Sequence, residues 1–137
     1  MTSYIPAALR QLVVERAAGR CEYCRFPQDA SFLPFEIDHI ISEKHGGATA
    51  AENLALACVF CNSFKGTDLG SLDPATGRLT AFFNPRTHAW DDHFRVEEDG
   101  KLQPHTPESR VTVAILRMND PERVLERQVL LEIGRYR

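Results

Sequence analysis

The stretch FEIDHIISEKHGGATAAENLALACVFCNSFKG, residues 35–66, carries most of what this chain discloses about its fold. Asp38 and His39 stand side by side at the end of an apolar run, and a glycine pair follows. "SFLPFEID", residues 31–38, reads as extended, with Phe35 and Ile37 on one face and Glu36 and Asp38 on the other. Pro34 places that strand at an edge or makes it the strand's start. "SEKHGGATAAE" reads as a loop that turns at Gly46-Gly47. "NLALAC" returns as a second short strand, and "NSFKG", closed by Gly66, reads as a helical turn or short helix. The order is strand, loop, strand, helix.

Cysteine usage frames this segment. All four cysteines fall in two pairs, "CEYC" at 21–24 and "CVFC" at 58–61. Each C-x-x-C knuckle lets both of its sulfurs reach one ion, so Cys21, Cys24, Cys58 and Cys61 fit one tetrahedral structural Zn²⁺. Buried thiols or a redox dithiol are the alternatives, but a redox dithiol needs only one pair. The insert between the knuckles, residues 25–57, is longer than a zinc-ribbon spacer of about 15–20 residues and contains Asp38 and His39. The zinc is therefore expected to clamp the ends of a functional insert. With four thiolates it has no open position for catalysis.

Working outward, "PAALRQLVVERAA" (6–18) reads as a helix with Pro6 at its start, a stripe of Leu9, Leu12, Val13 and Ala17, and Gly19 as its stop. Beyond residue 67 the signals weaken. "RLTAFF" (78–83) and "FRVEE" (94–98) are expected to pair as a hairpin, with "EDGK" as a turn. Thr106-Pro107 starts a helix over 107–118 with Val111, Ala114, Ile115 and Met118 as its stripe. Asp120-Pro121 starts a last helix, 121–133, with Val124, Leu125 and Val129 facing the core and Gly134 ending it. The expected architecture is α+β: one domain over 1–137, a core at about 20–67, and an elaboration at about 68–137.

The apolar fraction of 43% and charged fraction of 26% are ordinary for a globular chain. No apolar run approaches the roughly 18 residues of a membrane span, and no secretory leader is read at the N-terminus. A cytoplasmic protein without a membrane is expected. The net charge of −3 argues against a generic nucleic-acid coat, which would be basic overall. Charge is uneven, however. Residues 1–25 carry Arg10, Arg16, Arg20 and Arg25 against Glu15 and Glu22, whereas residues 91–99 are strongly acidic. An acidic partner is expected on the first face.

"DHI", "ENLALAC" and "CNSFKG", framed by the two knuckles, together resemble the HNH endonuclease family over roughly residues 5–66. "FNPR" and the Trp and His-Phe that follow, within 83–94, resemble the tail of small standalone bacterial members. The resemblance implies a zinc-stabilised ββα-metal (His-Me finger) module, here with an N-terminal helix and a C-terminal hairpin plus helices. It implies His39 as general base, Asp38 as a metal ligand, Asn53 as the residue holding the loop that orients the histidine, and Asn62 as the second metal ligand. Many members carry His at this last position, so the resemblance is to an H-N-N variant.

The residue types suit phosphodiester hydrolysis. An imidazole takes a proton near neutral pH. Asp38 and the amide oxygen of Asn62 are hard donors, suited to a catalytic Mg²⁺ or Mn²⁺ that stabilises the developing charge. Adjacent strand residues point to opposite faces, so Asp38 and His39 can serve one phosphate only if the strand ends and bends there. The glycine-containing loop, tied by Asn53, is expected to produce that bend. Asn62 also reads as a helix N-cap. Lys65 reads either as a phosphate contact or as a solvated helix residue, and Arg86 as a phosphate contact or a partner of nearby acids. Trp90 and Phe94 read as core anchors, and His45, His88, His93 and His105 carry no assigned role.

The expected activity is divalent-metal-dependent hydrolysis of DNA by a monomer or homodimer. The alternative is a non-catalytic, zinc-stabilised nucleic-acid-binding module. A third reading makes the chain a nuclease module steered by a protein partner.

Overall fold

The computed structural model describes residues 4–136. Helix α1 spans Ala7–Arg16 behind Pro6. Ala18 and Gly19, both at positive φ, reverse the chain toward the first knuckle. Its buried stripe is narrower than the pattern predicts: Val13 is fully buried and Leu12 is 44% exposed. A helix lying on the flank of a small module covers only one strip of it.

Strand β1 (Glu36–His39) pairs antiparallel with β2 (Leu54–Ala57), with Asp38 opposite Ala55 and His39 opposite Leu54. All four β2 residues are buried. Its outer edge is closed by the first knuckle, because Glu22 N donates to Leu56 O and Leu56 N donates to Glu22 Oε2, each at 2.8 Å. The N–H and C=O of Leu56 at that edge are thereby paired. Arg86 pairs with Glu22 and not with the acidic stretch.

Helix α2 covers Val59–Lys65. It begins inside the second knuckle and not after Cys61 as expected, because Cys58 is its N-cap: the thiol sulfur accepts from Cys61 N at 3.4 Å. Asn62 is therefore an interior helix residue and not a cap.

The C-terminal half departs from the expected single hairpin. Strand β3 (Gly70–Leu72) pairs with β4 (Leu79–Ala81). After the short helix α3 (Trp90–His93), β5 (Phe94–Val96) pairs with β6 (Leu102–Pro104). "RLTAFF" and "FRVEE" thus belong to two hairpins, each closed locally across a turn. The EDGK turn forms as read, with Gly100 at positive φ and Glu97 N donating to Lys101 O at 2.8 Å.

Helix α4 (Pro107–Ile115) starts with a capping box between Thr106 and Ser109, a contribution of about 1 kcal/mol. It ends three residues earlier than expected. Leu116 closes it and Arg117 turns at positive φ, which leaves Met118 buried beyond the helix and Ala114 exposed. Helix α5 (Pro121–Glu132) buries Arg123, Val124, Arg127 and Leu130, while Leu125 and Val129 face outward. Val124 faces the core as expected, and Leu125 and Val129 do not. The two guanidiniums find buried acceptors, described below, that the exposed leucine and valine do not need.

Trp90 and Phe94 are core anchors, stacked at 4.9 Å between ring centroids, and Trp90 Nε1 donates to Tyr23 O at 2.8 Å. Arg25 lies over the Trp90 ring at 4.2 Å.

Candidate metal centre and active site

The four cysteine sulfurs all lie within 4.8 Å of one another, and all four residues are buried. A tetrahedral zinc with Zn–S of about 2.3 Å has S···S edges of about 3.8 Å. Cys24 Sγ and Cys58 Sγ are 3.8 Å apart, the length of such an edge and far too long for a disulfide. The donor set fits a structural zinc ion. The knuckles also turn backbone donors onto their own sulfurs: Cys24 N to Cys21 Sγ at 3.5 Å and Cys61 N to Cys58 Sγ at 3.4 Å.

One residue of this centre was not read from the sequence. Arg123, buried in α5, donates from Nη2 to Cys61 Sγ at 3.0 Å and reaches Cys58 Sγ at 3.7 Å. Its Nη1 donates to Leu116 O at 2.6 Å and Arg117 O at 3.1 Å. Four thiolates around Zn²⁺ leave a net charge of about −2, which a buried guanidinium offsets. Arg127, one turn on, donates to Gly100 O and Met118 O. The signal was present as an Arg, Arg, Leu series at 123, 127 and 130, helical spacing with charges where apolar residues belong.

His39 is the last residue of β1 and is half-buried. The chain bends immediately after it, and Asn53 makes the bend. Asn53 Oδ1 accepts from Ile41 N at 2.9 Å, and Nδ2 donates to Ile41 O at 2.9 Å and Ala48 O at 2.8 Å. One amide thus joins the strand's exit to the returning loop. The loop lies so close that a Cβ at Gly47 would meet Ile41 O at 1.6 Å. The next turn of loop brings Thr49 Oγ1 to 2.9 Å from His39 Nε2.

Asp38 points the other way, into the interior. Tyr23 Oη donates to its Oδ2 at 2.6 Å, and Lys65 Nζ lies 3.3 Å from Oδ1 and 3.2 Å from Oδ2. Burial raises the Asp38 carboxyl above the usual carboxylate range, against the pull of Lys65 and the Tyr23 hydrogen bond. Burial, then the Asp38 charge, pushes the Tyr23 phenol well up and keeps it a donor. Lys65 is neither a phosphate contact nor a solvated residue. It is 1% exposed, and it also donates to His39 O and Ile40 O, each at 3.1 Å.

Asn62 is half-buried on α2, one turn before Lys65, and among the described residues its side-chain amide makes no hydrogen bond. No hydrogen bond joins it to Asp38; the residue of α2 that reaches Asp38 is Lys65. A carboxylate offers about four lone-pair sites. Tyr23 and Lys65 take up part of that capacity on Asp38. Asp38 and Asn62 carry oxygen donors, the ligand chemistry a hard divalent ion takes.

Residues 21–68 match the family model described as HNH endonuclease. The matched segment runs from the first zinc-knuckle cysteine to just beyond α2. No curated protein and no solved structure gives a significant match.

Proposed function

We propose that the chain is a divalent-metal-dependent endonuclease that hydrolyses DNA phosphodiester bonds, with β1, β2 and α2 acting as a ββα-metal module. The single observation that carries this reading is the placement of His39 within the HNH-matched segment: at a strand end, half-exposed, on a bend tied by Asn53.

In this reading His39 takes the proton of the attacking water. Asn53 holds the loop that presents the ring. Asp38 and Asn62 hold Mg²⁺ or Mn²⁺, which when bound supplies positive charge to the non-bridging and leaving oxygens. The zinc cluster stays structural and keeps α2 against β1. A cleft of ≈ 390 Å³ lined by Arg16, Arg20 and Arg25 supplies cationic groups for flanking phosphates. Arg16 also donates to Ala51 O and Leu54 O, which ties this cleft to the strand opposite His39. We read the whole chain as one unit, since Arg123, Trp90 and Tyr136 bond to the knuckles or to the residues between their cysteines.

Incubating zinc-loaded protein with supercoiled plasmid and Mg²⁺ or Mn²⁺, beside His39→Ala, tests the proposal. The expected result is nicking or linearisation by the wild type and its loss in the variant. Salt-sensitive DNA binding without turnover, unchanged in the variant, would establish the non-catalytic binding module in its place.

A further inference from the structure

We propose that Thr49 is a positioning residue that fixes the tautomer of His39, holding the proton on Nε2 and leaving the Nδ1 lone pair for the attacking water. The inference rests on the reading of His39 as general base and adds the residue that makes it one.

The contact is His39 Nε2 to Thr49 Oγ1 at 2.9 Å, and among the described residues neither side chain makes another hydrogen bond. A neutral imidazole has one donor and one acceptor nitrogen, and a hydroxyl can play either part. Two arrangements are therefore possible. If Oγ1–H donates to Nε2, the basic lone pair is consumed by threonine and Nδ1 carries hydrogen, so the ring has nothing with which to receive a proton. If Nε2–H donates to Oγ1, Nδ1 is the acceptor and has no hydrogen-bond partner among the described residues. Only the second arrangement is compatible with a base. It also survives the reaction: once Nδ1 is protonated, both nitrogens are donors, and the Nε2–H to Oγ1 bond persists without reorganisation.

The loop is built to deliver this hydroxyl. Asn53 Nδ2 holds Ala48 O at 2.8 Å, adjacent to Thr49, while its Oδ1 holds Ile41 N two residues past His39. The same amide thus spaces both partners of the His39–Thr49 contact. Gly47 permits the close approach that brings residue 49 alongside the ring. Thr49 is half-buried, so water competes poorly for the contact.

The test uses zinc-loaded protein with ¹⁵N-labelled imidazoles, without Mg²⁺ or Mn²⁺. Long-range ¹H–¹⁵N correlation spectra distinguish the two neutral tautomers. The wild type is expected to show His39 protonated at Nε2, and T49V a mixture. In plasmid cleavage T49V is expected to lower kcat roughly ten-fold, the worth of one ordinary hydrogen bond, with KM little changed. T49S should restore both spectrum and rate. A wild-type ring protonated at Nδ1 overturns the proposal, as does a T49V enzyme with unchanged kcat or a folded T49S as impaired as T49V. Absence of cleavage by the wild type would sink the nuclease reading alone, because the spectra report the Thr49–His39 arrangement without turnover.

Discussion

Lys65 and Asp38 form a buried ion pair, 3.2 Å between Nζ and Oδ2, that pins helix α2 to the last turn of strand β1. Lys65 spends its other two protons on the carbonyls of His39 and Ile40, so the ammonium is fully engaged. Strand alternation sends Asp38 inward and His39 outward, and this one lysine fixes the backbone between them.

Breaking that pair from one side leaves a buried carboxylate with no countercharge and only the Tyr23 hydrogen bond, a change of about 3–5 kcal/mol. K65M is therefore expected to lower stability by that amount in urea unfolding of the zinc-loaded protein. K65M combined with D38N should recover part of the loss. A K65M cost below about 1 kcal/mol would mean that water reaches Asp38.

Arg123 should govern how tightly zinc is retained. Partners of metal ligands are typically worth 10–100-fold in metal affinity. R123Q is expected to release zinc to a competing chelator in that range. R123K, which keeps the charge but not the planar fork, should fall between the two. Equal retention by all three proteins would remove the residue from the metal centre.

Chelation of the zinc itself should unfold the segment around β1, β2 and α2. The thiolates are buried at its centre, and metal binding is folding free energy in such clusters. Circular dichroism should show a loss of secondary structure that follows zinc release. Removing Mg²⁺ or Mn²⁺ alone should leave the spectrum intact.

Gly46 and Gly47 should respond differently to alanine. Gly46 sits at φ +87 with open space at its Cβ, so G46A costs only backbone strain, about 1 kcal/mol. A Cβ at Gly47 runs into the Ile41 carbonyl and the Asn53 amide, so G47A must push the loop away from His39. Cleavage should survive G46A and be lost in G47A. Equal activities would show that the loop is not held as described.

Asp73 sets an acid limit on stability. Arg110 grips both its oxygens at 2.8–2.9 Å, and these bonds outweigh burial and hold the carboxyl well below the usual range. A depressed folded-state pKa gives stability that is present above the unfolded value, about 3.9, and is lost as pH falls below it. Thermal midpoints of the wild type should therefore drop from pH 5 to pH 3 more steeply than those of D73N. Parallel curves would assign the acid sensitivity to other carboxylates.

The cysteine pairs were legible because metal ligands impose spacing on the sequence itself, and β1 and β2 because Ile37, Asp38 and the LALA run mark a strand pair. Lys65 and Arg123 were not legible. A charged residue on a helix reads as solvated until the acceptors facing it are known, and those acceptors lie 27 and 62 positions away. The two hairpins escaped for another reason: strands of three residues are too short to display a period, and their register comes from the turns. Thr49 carried no pattern at all, since its meaning depends on how far the loop folds back.

Tyr136 Oη donates to the carbonyl of Cys24, and Arg123 caps Cys61 from the same helical end of the chain. A polypeptide emerging from the ribosome exposes both cysteine pairs well before these two residues appear. The sulfur cluster can thus capture its ion during translation while its guanidinium cover is still unmade. The metal site is thus assembled from residues made early, and its cover from residues made later.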